Sequence, residues 1–141
     1  WRLQANNEPT IITCSDVMAE QHPELVVTFM KAMIKVGRWA NEHKRAAAVI
    51  LDRQTYYRDA EDTYQGIKLI DMVPSLSPRN LAQIEIGKDF MLKHGYIQRD
   101  FDVQTWAAPE FLEKAGKELI EERWEKATAA KLPEATVVRL G

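Results

Sequence analysis

Apolar positions recur at helical spacing along most of this chain. From Pro23 onward, Leu25, Val26, Phe29, Met30, Met33 and Ile34 return every three or four residues, and Gly37 and Ala40 extend the stripe. Lys31, Lys35 and Arg38 take the other side. The pattern predicts a long amphipathic helix over "HPELVVTFMKAMIKVGRWANEH". Pro23 suits its first turn, where a missing N–H costs nothing, and Glu24 complements the N-terminal dipole. "NEHKRAAAVILDRQT" predicts a shorter helix capped by Asn41 and buried through Ala47, Val49, Ile50 and Leu51. "RDAEDTYQGIKLIDMVP" predicts a third, ended by Pro74 and Ser75. In "SPRNLAQIEIGKDFMLKHG", Ser77 is a natural N-cap, Pro78 takes the first helical position and Gly95 the left-handed C-terminal one. Pro109 opens a final helix, with Phe111, Leu112, Ala115, Leu119, Ile120 and Trp124 as its stripe and Glu122–Lys126 as an i,i+4 pair.

Strand signals are scarce. "TIITCSD" (Thr10–Asp16) is β-branched, follows Pro9 and reads as one strand, while "ATVVRLG" reads as a short strand or a tail. The expectation is a mainly α chain of four to five helices plus one or two short strands. Residues 1–16 then form a strand segment, 17–131 a helical body and 132–141 a tail. One strand cannot make a sheet, and the chain opens at Trp1 with no initiator Met, so it reads as a piece of something longer.

The connection "YIQRDFDVQTWAAPEFL" carries no acid, base or nucleophile in a catalytic pattern. It reads as a packing device. Asp102 or Thr105 caps a short turn, and Trp106 is a buried anchor against the helices that begin at Pro78 and Pro109.

Composition narrows the function classes. The 141 residues carry a formal net charge of −2 with acids and bases interspersed, which gives no basic stripe for a nucleic-acid backbone. No apolar run reaches the eighteen or so residues of a spanning helix. A single cysteine, Cys14, excludes an internal disulfide and a cysteine-based zinc site, and nothing in the chain calls for a cofactor. Cys14 reads as a small buried strand residue. His22, His43 and His94 stand alone at predicted helix ends, where an imidazole meets a helix terminus rather than a metal. One constellation has binding chemistry: Tyr56, Tyr57 and Arg58 share an inter-helical loop, and aromatic faces beside a forked donor suit a sulfonate or carboxylate.

Taken together, "HPELVVTFMKAMIKVGRWANEHKRAAAVIL" resembles the C-terminal part of the type II periplasmic solute-binding proteins of ABC importers, in the nitrate/sulfonate/taurine branch. "WAAPEFL" and "GRWANEH" are similar to segments of the sulfinate desulfinases built on that same scaffold. The resemblance covers roughly residues 9–116 and implies the C-terminal fragment of a two-lobed α/β fold, with Thr10–Asp16 returning between the lobes. It implies the substrate-binding component of an importer for a small anion or organosulfur compound, periplasmic and partnered by a membrane permease. The alternative it implies is a cytoplasmic desulfinase-like hydrolase of a C–S bond. In both cases the ligand-holding residues lie mainly upstream, and Cys14 is not the desulfinase nucleophile. A strand and apolar stripes left without partners further predict a homodimer, through Thr10–Asp16 or through the stripe containing Phe29 and Met33.

Overall fold

The computed structural model describes residues 11–54 and 59–131. Seven helices follow one another there: α1 (Asp16–Gln21), α2 (Pro23–Glu42), α3 (Lys44–Gln54), α4 (Ala60–Ile67), α5 (Pro78–Lys93), α6 (Val103–Trp106) and α7 (Pro109–Lys131). Among the described residues there is no strand. The expected two-lobed α/β architecture is therefore corrected to an all-helical one for this part of the chain. Thr10 and the 132–141 tail lie outside the described residues. From Ile11 to Ser15 the chain forms no strand, and Asp16 opens α1. The reason is local. The Ser15 hydroxyl accepts from the Met18 N–H at 3.2 Å, and Asp16 sits in the first turn, so a helix start is satisfied within a few residues. Among the described residues the β-branched run has no neighbouring strand with which to pair.

The predicted caps of α5 are in place. The Ser77 side chain accepts from the Asn80 N–H, Pro78 takes the first position, and Gly95 has φ of 74° beyond the C-terminus. Asp59 caps α4, accepting from Glu61 and Asp62, and Asp102 caps α6, accepting from the Gln104 N–H at 2.8 Å. Asn41 does not cap α3. Its amide instead donates to Asp71 Oδ1 at 2.7 Å while its oxygen accepts from the Met72 N–H at 3.0 Å and from Lys44 Nζ at 2.9 Å.

That network docks the 70–73 segment on α2. Asp71 Oδ1 also accepts from the Val73 N–H, and Lys44 donates to the Ile70 carbonyl. Gly37 lets the segment come close: a Cβ there would lie 2.8 Å from the Met72 carbonyl carbon and from Val73 Cα, and closer still to the Met72 oxygen. The Val73 side chain thereby reaches the main core, where Val27 and Ile34 of α2 meet Ala115 and Leu119 of α7, with Met30, Phe111 and Leu112 around them. Burying each of the larger aliphatics contributes roughly 1.5–3 kcal/mol.

On the rim of that core Lys31 pairs with Glu118 at 3.0 Å and with Glu122, and Lys35 reaches Glu122 at 3.5 Å. Glu122 thus serves the α2–α7 contact, where the sequence pattern assigned it to Lys126. The two halves of the expected stripes also separate. Leu25, Phe29, Ile120 and Trp124 stay half or more exposed, as do Ile50 and, to a lesser degree, Val49. Helices α3 and α4 pack through Ala47, Ala48 and Thr63, with Arg45 against Glu61 at 2.6 Å and over the Tyr64 ring at 4.0 Å.

Candidate functional site

The predicted binding constellation, Tyr56, Tyr57 and Arg58, lies outside the described residues, between the end of α3 and the Asp59 cap of α4. The remaining predicted groups stand where simple helix-end chemistry puts them. His22 precedes α2 and lies 3.7 Å from Glu24. His43 follows α2, its ring stacked on Trp39 at 5.2 Å and its Nδ1 2.9 Å from the Trp39 carbonyl oxygen. His94 follows α5 beside Phe90, ring centres 4.4 Å apart. Cys14 is exposed, a correction to its expected burial. Among the described residues no three His, Cys, Asp or Glu side chains gather with metal-binding geometry.

The best-ordered polar arrangement was not singled out from the sequence. It lies where α5 faces the connection to α6. Lys88 is only 5% exposed, an unusual place for an ammonium, and all three of its N–H directions are used. Nζ donates to Glu85, one turn earlier, to Asp100 Oδ1 at 2.9 Å and to the Phe101 carbonyl at 3.2 Å, with Asp89 3.7 Å away. The Glu85 and Asp100 hydrogen bonds hold the Lys88 amine well above the ordinary lysine range. Reciprocally, the Lys88 bond and the Phe101 N–H hold the Asp100 carboxyl below the usual carboxylate range. Asp100 Oδ1 accepts that N–H at 2.8 Å, so the turn at 100–101 is fixed to the same ammonium.

A shallow cleft of about 440 Å³ opens over this cluster, lined by Glu85, Lys88, Asp100, Phe101 and Asp102. Its chemistry is restrictive. An ammonium that is protonated and saturated with acceptors serves neither as a base nor as an imine-forming nucleophile. Three carboxylates against one ammonium oppose an anion. Lys88 acts as a pin that fastens the connection to α5. Its only sequence signal is an acid at i−3, which is too common to point anywhere.

The same connection corrects the reading of Trp106. The indole remains 46% exposed and leans on Phe101 with ring centres 5.5 Å apart. Val103, at 1% exposed, is the anchor that α6 buries. A four-residue helix has one inward face, and the position just after the Asp102 cap occupies it.

No family model matches the chain, and no solved structure matches it. Curated relatives are the 2'-hydroxybiphenyl-2-sulfinate desulfinases of Rhodococcus erythropolis and Rhodococcus qingshengii, each 29% identical over 112 residues. The match takes in 77% of this chain and 30% of the relatives, so the chain spans less than a third of the proteins it matches. An importer component does not figure in these findings. What the comparisons establish is a similarity, along most of the chain, to part of a sulfinate desulfinase.

Proposed function

We propose that this chain is the helical scaffold portion of a desulfinase-like protein, which cleaves the carbon–sulfur bond of an aromatic sulfinate. The observation that carries the reading is the similarity to the two desulfinases over 77% of the chain. The geometry supports a scaffold role within it. The buried ammonium of Lys88 is committed to Glu85, Asp100 and Phe101, and the cleft above it is the wrong sign for a sulfinate. The reacting groups then belong to other parts of the protein, which these helices position.

In the proposed reaction water and the sulfinate exchange partners. The ring carbon–sulfur bond breaks, the carbon takes a proton, and sulfur leaves with the water oxygen as bisulfite, with no external oxidant or reductant. The test is to incubate the full-length protein with 2'-hydroxybiphenyl-2-sulfinate and measure released sulfite together with the desulfinated biphenyl. Stoichiometric appearance of both supports the reading. Tight, reversible binding of a sulfonate, taurine or nitrate with no sulfite release would overturn it in favour of an importer's substrate-binding component. Sulfite release that Lys88→Met abolishes in a folded protein would overturn the scaffold role.

A further inference from the structure

Helix α2 carries a second apolar seam, distinct from the face that fills the core. Leu25, Phe29, Ala32, Val36 and Trp39 succeed one another at intervals of four, three, four and three residues. This is the 3.5-residue alternation that seats one helix against another in a shallow left-handed crossing. On the helical wheel Val27 and Ile34, which pack against α7, point to the opposite side. The seam itself faces water, with Leu25 53% exposed, Phe29 51%, Val36 58% and Trp39 40%. At the usual size of such side chains that leaves roughly 450 Å² of continuous apolar surface, the size of the largest patch on a typical monomer, which is often an interaction site.

We propose that this seam is the contact surface for a second copy of the chain, α2 lying antiparallel against α2 across a twofold axis near Ala32. Two features fit this occupant. The seam is self-complementary, because reversal about Ala32 sets Phe29 of one copy opposite Val36 of the other and Leu25 opposite Trp39, while the two small alanines meet at the axis. The area suits a weak, transient pair: two such seams together bury roughly 900–1,000 Å², just under the size of stable specific interfaces and above most crystal contacts. The flank of the seam carries Thr28, Lys35 and Glu42, one basic and one acidic, and Lys35 is already near Glu122 at 3.5 Å. Like-charge repulsion therefore does not keep the copies apart. An interface of this size is a modest one, so the dimer dissociates in the micromolar range. The inference stands independently of the desulfinase reading.

Sedimentation velocity and light scattering of the chain across the micromolar range test it. The expected mass rises with concentration from 16.2 kDa towards twice that value. Phe29→Glu buries a charge in the seam and weakens association at least tenfold while far-UV circular dichroism keeps its helical signal. Val36→Lys does the same and takes its place if Phe29→Glu fails to fold. Ile86→Glu, on the exposed face of α5 and 69% exposed in the wild type, leaves association unchanged. A single-chain mass at every concentration overturns the proposal, as does a dimer that both seam variants leave intact. So does a dimer that only Ile86→Glu dissociates.

Discussion

Gly37→Ala is the most informative substitution in this chain, because two opposing effects can be separated by sign. In an exposed helix interior, glycine to alanine stabilises by about 1 kcal/mol, through backbone entropy and propensity. At Gly37 the new methyl would stand 2.8 Å from the Met72 carbonyl carbon and from Val73 Cα, and nearer still to the carbonyl oxygen. These are backbone atoms and cannot rotate away. Overpacking of this kind costs about 1–3 kcal/mol where the surroundings hold. Where they yield, the 70–73 segment lifts off α2 and gives up the Met72 and Asp71 hydrogen bonds to Asn41, worth about 0.5–1.5 kcal/mol each, and draws Val73 from the core. The clash and the lift-off are alternatives, and after the propensity gain of about 1 kcal/mol the expected net loss is centred near about 1 kcal/mol and reaches about 2 kcal/mol. For a domain of this size a loss of about 1 kcal/mol lowers the melting temperature by roughly 3–5 °C. Thermal and urea unfolding followed by far-UV circular dichroism measure it, with Gly87→Ala and Gly116→Ala as controls. A Cβ at either control position meets nothing within 4 Å, so each is expected to be neutral or up to about 1 kcal/mol stabilising. If Gly37→Ala is as stable as the wild type or more so, the docking of 70–73 on α2 is wrong.

Further outcomes follow from the same contacts. Asn41→Ala removes acceptor and donor together from Met72, Lys44 and Asp71 and is expected to cost about 1–3 kcal/mol, read from urea midpoints at constant m-value. Leu119→Ala opens the α2–α7 core at a side chain 6% exposed and is expected to cost about 2–4 kcal/mol, whereas Trp124→Ala, at 70% exposed, should fall within about 0.5 kcal/mol. Lys88→Met leaves α5 intact but frees the connection, so amide hydrogen exchange is expected to accelerate at Phe101 and Val103; unchanged protection there would remove the pin from the account. Stability should also depend on pH in two defined places. Asp100, Asp71 and Glu122 are held below their ordinary carboxylate range, the first and third chiefly by lysine hydrogen bonds and Asp71 chiefly by the Val73 N–H. Their contribution is complete above the unfolded values near about 4 and is lost as pH falls through the depressed folded ones. Lys88 and Lys31 are raised, so theirs is complete below about 10.4 and is lost as pH rises through the folded values. Melting temperatures should therefore hold level between these windows and fall on both sides, and Asp100→Asn should flatten the acid limb.

What the sequence determined by itself was local. The starts of α5 and α7 were legible because Ser77, Pro78 and Pro109 act on their own backbone neighbours, and Gly95 was legible because a left-handed turn favours glycine. The buried anchor in "DVQTWAAPEFL" was misplaced, since Trp106 and Val103 are equally apolar on paper and only the turn capped by Asp102 aims Val103 inward and leaves Trp106 exposed. Thr10–Asp16 has strand composition, but a strand is realised only by a partner at hydrogen-bonding distance, and the Ser15 cap needs none. The same holds for every charge pairing across elements. Lys88 with Asp100, Lys31 with Glu122 and Asn41 with Asp71 join residues 12, 91 and 30 positions apart, distances over which no periodicity carries information. On α2 periodicity went one step further. It marked one broad apolar stripe opposite Lys31, Lys35 and Arg38, but only α7 and the 70–73 segment decided which apolar positions became core and which remained a bare seam, because burial is a property of the neighbour as much as of the side chain.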